Sequence, residues 1–458
     1  MTRPVLVNAF DMNTPTHLVS GTWRHPDSHA WRYKDLAYWT DLARLLERGL
    51  FDGLFIADVL GVYDVYAGNP DAALRGGVQI PVNDPLMLVS AMAFVTEHLG
   101  LAVTASTSFE HPFPFARRMS TLDHLTNGRV GWNIVTSYLD SGARNIGLDT
   151  QVRHDERYEI ANEYMDVLYK LWEGSWQDDA VQRDRGSGIF TDPAKVHAIN
   201  HEGRYFKVPG IHVSEPSPQR TPLLFQAGTS DRGKDFAAAH AEAVFVGAPT
   251  AAILRAQVAD IRARAQAHGR DPHDIKVFSG YTVITGETDR EAQAKHDLYR
   301  SYVEPEGMLA LWSGWLGFDL SVYDLDDPLR VVPNQAIQST AETFGRGDWK
   351  VRDLVERLGF GDGPIAVGSP ATVADAIQEW LEETDADGLN LGHVVTPASY
   401  ADFADLVVPE LQRRGAYRKA YEPGTLRHKL FRRGDRLPGN HPAAGFRIPL
   451  SRPDAPQP

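Results

Sequence analysis

The chain contains no cysteine, so disulfides, thiolate nucleophiles and cysteine-ligated metal sites are excluded at the outset. No stretch reaches the roughly 18 uninterrupted apolar residues of a membrane span. The opening run MTRPVLVNAFDMN has one arginine and only a short apolar segment, unlike a secretory signal. The cytoplasm is therefore the expected compartment, with no membrane partner. Basic charge is also scarce: Lys plus Arg number 46 against 60 for Asp plus Glu, a formal net charge of −14. That balance argues against sequence-independent nucleic-acid binding, which needs a basic surface. Any anionic ligand must be held by local donors rather than by the global field. No G-x-G-x-x-G follows the first strand-like segment, and no internal repeat or low-complexity block appears.

What is present is an alternation of short β-type runs and longer helical ones. Strands are predicted at residues 5–10, 51–58, 101–107, 129–137, 223–227, 243–247, 275–285 and 388–395. Each is followed by a segment of helical period, for example 154–172, with Ala161, Tyr164, Met165, Leu168, Leu171 and Trp172 on one stripe. Eight such units predict an α/β fold, a (β/α)8 TIM barrel, with a doubly wound sheet as the alternative. A bare barrel needs about 250 residues, so the 458 present leave large insertions. These fall after strands 2, 4 and 7, at residues 59–82, 175–221 and 303–370. The second includes a hairpin-like VHAINHEGRYFKVPG, and the third is a lid rich in Trp, Gly and Asp. The expected organisation is one barrel domain, 1–414, and a basic, Pro-rich C-terminal extension, 415–458.

Barrel sites lie at the carboxyl ends of the strands, so the chemistry is sought there. Asn133 sits between Trp132 and Ile134 in a run that should be apolar if buried. It is either satisfied by backbone or it contacts a ligand. Gly228-Thr229-Ser230 follows a strand and opens a helix, a pattern that suits an anion or plain capping by Ser230. His154 and Tyr158 share a helix face and, with Arg157, make a possible phosphate cradle. Asp58 ends strand 2 and suits a base, a metal ligand or an acceptor for ring N–H groups. His197 and His201 have zinc-like spacing but no third ligand nearby, and no metal is expected. Trp312, Trp315 and Phe318 suit a lid over an apolar pocket. Two classes survive: an oxidoreductase with a phosphate-anchored cofactor, and a hydrolase using carboxylates such as Asp11, Asp58 and Glu110.

Longer motifs separate these. RRMSTLDHLTNGRVGWNIVTSYLDSGARNIGLD, NAFDMN, GTWRHP, ERGLFDGLFIADVLGVYDVY, IPVNDPL, HDERYEIANEYMDVLYKLWEGSW, FTDPAKVHAINHEGRYFKVPG and EPSPQRTPLLFQAGTSDRGKDFAA occur along nearly the whole chain. Together they resemble the flavin-dependent monooxygenases of the bacterial luciferase superfamily. Within it, they are similar to the nitrilotriacetate and dibenzothiophene sulfone monooxygenase group, and nearest to its sulfide- and alkane-oxidising members. The resemblance implies a two-component system. A separate NAD(P)H:FMN reductase supplies FMNH2. O2 reacts at the flavin C4a position, and one oxygen atom passes to the substrate. It further implies that Asp58 and Thr104 contact the isoalloxazine or ribityl region. His154, Tyr158, Gly228 and Ser230 would hold the phosphate, and Asn133 and Ser137 would line the flavin's side. His17, Tyr63 and Tyr138 become the substrate-side candidates, with Trp312 closing the pocket above them. The implied substrate is small and apolar, an organosulfur compound such as a dialkyl sulfide, with an alkane or a sulfone as alternatives. A dimer or tetramer of the chain is implied.

Overall fold

The structure is a computed structural model and describes residues 4–228, 230–329, 349–356, 359–361 and 363–448. Eight parallel strands form a closed barrel: β1 Leu6–Met12, β2 Gly53–Ala57, β3 Gly100–Ser106, β4 Val130–Val135, β5 Leu223–Gln226, β6 Ala243–Val246, β7 Lys276–Thr285 and β8 Gly388–Gly392. Each pairs with the next in sequence, and β8 returns to β1 with Leu6 opposite Gly388. The helices outside are α1 Leu36–Arg48, α2 Leu86–Phe94, α3 Pro112–Leu125, α4 His154–Tyr169, α5 Asp231–His240, α6 Ala251–Ala267, α7 Asp289–Tyr302, α8 Pro305–Leu316 and α9 Pro370–Thr384.

Alternation along the strands explains the two cores. Val7, Ala9, Leu54, Ile56, Leu101, Val103 and Trp132 face outward and pack on the helices. Phe55, Ala102, Phe225, Phe245 and Phe278 fill the barrel interior. There Phe245 stacks on Phe55 at 4.2 Å and on Phe225 at 5.2 Å between ring centroids. Within the C-terminal extension, Leu426–Phe431 forms a short helix. Its Leu426 and Leu430 close the interior from below. A Cβ on Gly100 would meet the Leu426 side chain at 2.6 Å, so the first residue of β3 has to be glycine for the tail to seat. Arg427 enters beside them and forms a two-pronged pair with Glu242, at 2.6 and 2.8 Å.

The insertions rise above the opposite end. Residues 175–222 carry two antiparallel hairpins, Val181–Asp184 with Ile189–Thr191 and His201–Glu202 with Lys207–Val208. The second lies within the segment read as hairpin-like. After β7 come α7 and α8, and then Ile365–Gly368, a strand that extends β7 by pairing with Thr282–Thr285. That strand was not anticipated. Much of the lid segment, residues 330–348, lies outside the described residues. α8 starts where the Glu304 carboxylate accepts the N–H groups of Glu306 and Gly307, and it ends at Gly317 with φ +74°. Among the described residues, no helix is long and apolar enough to cross a membrane.

Candidate active site

Eight of the residues singled out from the sequence line one cavity of about 240 Å³ over the carboxyl ends of β2, β4 and β5: Asp58, Ser137, Tyr138, His154, Arg157, Tyr158, Gly228 and Ser230. Phe109, Gln226 and Phe236 also belong to its wall. A second cavity of about 430 Å³ adjoins it, shares Asp58, Leu60, Phe109, Val135 and Ser137, and adds Thr104. Asn133 lines neither. It points into the barrel and donates from Nδ2 to Thr104 Oγ1 at 3.0 Å. Its Oδ1 is buried without a partner. The partner of its amide nitrogen is a side-chain hydroxyl rather than backbone, set opposite by the β3–β4 register.

The anion end is built by α4 and α5. Ser230 caps α5, its Oγ accepting the Gly233 N–H at 3.1 Å, and the same Oγ meets His154 Nε2 at 3.3 Å. Tyr158 sits one turn along α4 from His154. A Cβ on Gly228 would stand 3.2 Å from the Tyr158 hydroxyl, and one on Gly233 only 2.8 Å. Both glycines therefore let the phenol reach the start of α5. Burial pushes the Tyr158 hydroxyl above its ordinary range, with the bond to Ser230 acting against it, so it stays a neutral donor. Arg157 is buried on the same wall, and burial lowers its guanidinium below the usual value. A helix N-terminus, two hydroxyls, an imidazole and a buried guanidinium suit a phosphate. Thr229 lies outside the described residues.

At the other end Asp58 is largely buried, and that burial, aided by the neighbouring Asp84, pushes its carboxyl up to about 7. Ser137 holds φ at +59° without being glycine, a conformation that costs about 1 kcal/mol or more. Its Oγ donates to Ser106 Oγ at 2.8 Å. Strain and a displaced carboxyl at one cavity wall are features of functional sites.

The substrate-side candidates form a network that reaches the cavity through Tyr138. Tyr63 donates to Gln79 Oε1 at 2.9 Å and lies 2.6 Å from the Tyr138 hydroxyl. It also accepts the Trp315 indole N–H at 3.2 Å. Gln79 in turn donates to the His17 carbonyl at 2.8 Å. Burial raises the Tyr63 phenol to about 12 and lowers the His17 imidazole to about 3, so both are uncharged near neutrality. Tyr63 packs directly on α8, where a Cβ on Gly314 would come within 2.1 Å of its ring. Gln79 escaped the sequence reading because nothing local marks it; only its backbone φ of +49° is unusual. Trp312 is a correction. It is buried in the lid's own core with Met308, Leu309, Leu316 and Leu320, and Trp315 is the residue that reaches Tyr63. His201, half of the zinc-like pair, is engaged by Lys170 and Glu163 instead.

A model of the luciferase-like monooxygenases matches residues 12–388. The chain belongs to that family. It is 54% identical over 453 residues to dimethyl-sulfide monooxygenase of Hyphomicrobium sulfonivorans, covering 98% of this chain and 94% of the relative. It is 52% identical over 451 residues to long-chain alkane monooxygenase of Geobacillus thermodenitrificans, covering 98% and 99%. A riboflavin lyase solved with a modified FMN and riboflavin superposes with a TM-score of 0.91 at 37% identity, covering 98% of this chain and all of that one. This luciferase-like chain is accordingly a monooxygenase on a TIM barrel, and the strand-end hydrolase reading falls away.

Proposed function

We propose that this monooxygenase is the oxygenase of a two-component system. It takes up FMNH2 made by a separate NAD(P)H:FMN reductase and uses O2 to oxidise a small apolar organosulfur compound, a dialkyl sulfide. The observation that carries this reading is the cradle at the start of α5, where Tyr158 closes on glycines 228 and 233 and Ser230 on Gly233, with His154 and Arg157 in the same wall. Unpartnered buried acceptors, Asn133 Oδ1 and Gln226 Oε1, fit a ligand that brings N–H or O–H donors. The residues present therefore fit FMN. Ser230, His154 and Tyr158, by Gly228, would hold its phosphate, and Asp58, Thr104, Asn133 and Ser137 would hold its ring and ribityl chain. Reduced flavin, when bound, supplies the electrons that activate O2.

The protein's own contribution is orientation and dryness. The Trp315–Tyr63–Gln79 chain ties α8 to the loops after β1 and β2, and Leu139, Leu311 and Val78 pack around it. Water is thereby kept from the reacting centre, which limits side reactions. His17, Tyr63 and Tyr138 offer uncharged hydrogen-bonding groups in an apolar wall. A polycarboxylate would need paired cations there, and none of these side chains supplies one, which favours a sulfide. The likeness to the dimethyl-sulfide enzyme supports the same choice. Self-association to a dimer or tetramer belongs to this reading, supported by Met87 and Phe94 on α2, 67% and 91% exposed. So does a cytoplasmic location.

The test is turnover by the purified chain with FMN, NADH, an FMN reductase and a panel of dimethyl sulfide, a sulfone, a long alkane and nitrilotriacetate. Sulfide oxidation that requires the reductase is the expected result. Rapid NADH oxidation by the chain alone, or preference for the charged acid, would overturn it. Light scattering on the same sample reads the assembly state.

A further inference from the structure

At the carboxyl ends of β1 and β8, Asp11 and His393 meet in a buried pair that the flavin cavity does not use. His393 Nε2 lies 3.0 Å from Asp11 Oδ1, and the Met12 N–H already donates to that same oxygen at 2.8 Å. Oδ1 is thus the acceptor and His393 carries its proton on Nε2. That choice leaves His393 Nδ1 as a bare lone pair, with no partner among the described residues. Asp11 Oδ2 and His17 Nδ1 are likewise buried and unpartnered. The His17 and His393 ring centroids are 6.0 Å apart, and His17 is held edge-on against Phe10 at 4.3 Å. One ligand-type atom from each of Asp11, His17 and His393 falls within 4.8 Å of the others. The groups facing this cluster from neighbouring elements are Tyr38 of α1, bonded to Thr396 at 2.8 Å, and Tyr400, bonded to the Phe10 carbonyl at 2.7 Å. Arg32 is felt at Tyr38 and is not among the groups acting on His17.

We propose that Asp11 and His393 form a proton-accepting pair serving the substrate side of the site. Asp11 is the positioning residue: it fixes His393 as the Nε2–H tautomer and balances the imidazolium formed when His393 Nδ1 takes up a proton. The proton leaves an O–H donor at the substrate side, where the bonding pair stays on oxygen, and forms an N–H bond at the existing Nδ1 lone pair. His17 is the uncharged group between this pair and the Gln79–Tyr63 network, through its carbonyl. The inference rests on the monooxygenase reading above, because it needs His17 beside the substrate. A carboxylate hydrogen-bonded behind an imidazole is the standard way to set its tautomer and raise its basicity. Nothing in the local sequence links residues 11 and 393; closure of the barrel does.

The experiment compares D11N, D11L and H393F with wild type in the reductase-coupled sulfide assay across pH 5–9. In D11N an acceptor remains but the charge is gone, so the acid limb of the kcat profile moves to lower pH by a unit or more. In D11L the tautomer is also released, and kcat falls at least tenfold with KM for sulfide unchanged. In H393F the acid limb disappears. FMNH2 affinity stays within twofold throughout. Ring 15N spectra of histidine-labelled protein give an independent readout: His393 shows the Nε2–H pattern in wild type and loses it in D11L. If the pH profiles of all four proteins superimpose, or the wild-type His393 spectrum shows the other tautomer, the proposal is wrong. Stoichiometric Zn2+ binding by wild type that D11L abolishes would also overturn it, since the cluster would then be a metal site. If wild type fails to oxidise any sulfide, the functional reading fails, and the ring spectra still decide the pair.

Discussion

Asp58→Asn should make the ligand-free protein more stable at alkaline pH, although it removes a residue assigned to the cofactor. Burial, with help from Asp84, displaces the Asp58 carboxyl from 3.8 to about 7. The folded state therefore holds a proton more tightly than the unfolded state does. Its contribution to stability is whole below pH about 4 and is lost as pH rises through about 7. A displacement of that size corresponds to about 4 kcal/mol, counting 1.36 kcal/mol for each tenfold change in proton affinity. Asparagine occupies the same volume and carries no charge, so D58N is spared that loss. The difference between variant and wild type should be near zero at pH 4, about 2 kcal/mol at pH 5.5 and about 4 kcal/mol at pH 8. Urea unfolding of the flavin-free proteins at these three values measures it. FMN titration of the same samples should show weaker binding by D58N. A variant as stable as wild type at pH 8, or less stable, would refute the reasoning, because it would mean that the carboxylate is not penalised in this wall.

Tyr158→Phe should weaken FMN binding by about 1.5–3 kcal/mol, the worth of one hydrogen bond to a charged phosphate, with little change in melting temperature; equilibrium flavin titration checks it. Ser230→Ala should show the same loss of affinity plus about 1 kcal/mol of stability, because Ser230 also caps α5. Trp312→Ala should destabilise the lid by about 3–5 kcal/mol through its cavity, whereas Trp315→Phe should leave stability nearly unchanged and divert turnover to free H2O2, measured beside product in a single turnover. Arg427→Met should cost about 3–5 kcal/mol in urea unfolding, since it leaves Glu242 as an uncompensated buried charge, with FMN affinity unaltered.

The barrel was legible because its signal is local. Runs such as the outward Val7, Ala9, Leu54 and Ile56 announce strands whatever they pair with, and the cap at Ser230 announces a helix. The anion cradle was half legible for the same reason: His154 and Tyr158 are one turn apart, and Gly228 stands two residues before Ser230. What sequence pattern misses is partnership across long separations. Trp315 and Tyr63 are 252 residues apart, Arg427 and Glu242 are 185, and His393 and Asp11 are 382. Aromatic clustering pointed to Trp312 as readily as to Trp315, because both lie on α8 and only the docked lid decides which faces Tyr63. Asn133 was recognised as anomalous, but its partner Thr104 is set by strand register.

The two ends of the barrel carry different kinds of buried polar group. At the bottom, each nitrogen of the Arg427 guanidinium meets a carboxylate or a carbonyl, of Glu242, Gln219, Thr221, Pro222 or Asp435. A fully satisfied buried network of that kind rigidifies what it holds. At the mouth, Asp11 Oδ2, Asn13 Oδ1, Thr14 Oγ1, Thr16 Oγ1, His17 Nδ1 and His393 Nδ1 are buried without partners among the described residues. Each such atom costs roughly 1–3 kcal/mol if nothing pairs with it. Single atoms at the lower end, Gln219 Oε1 and Arg270 Nε, lack partners too, but at the mouth such atoms gather around the ends of β1 and β8. That gathering is consistent with groups reserved for a ligand, and it locates function at the face where β1, β4 and β8 end.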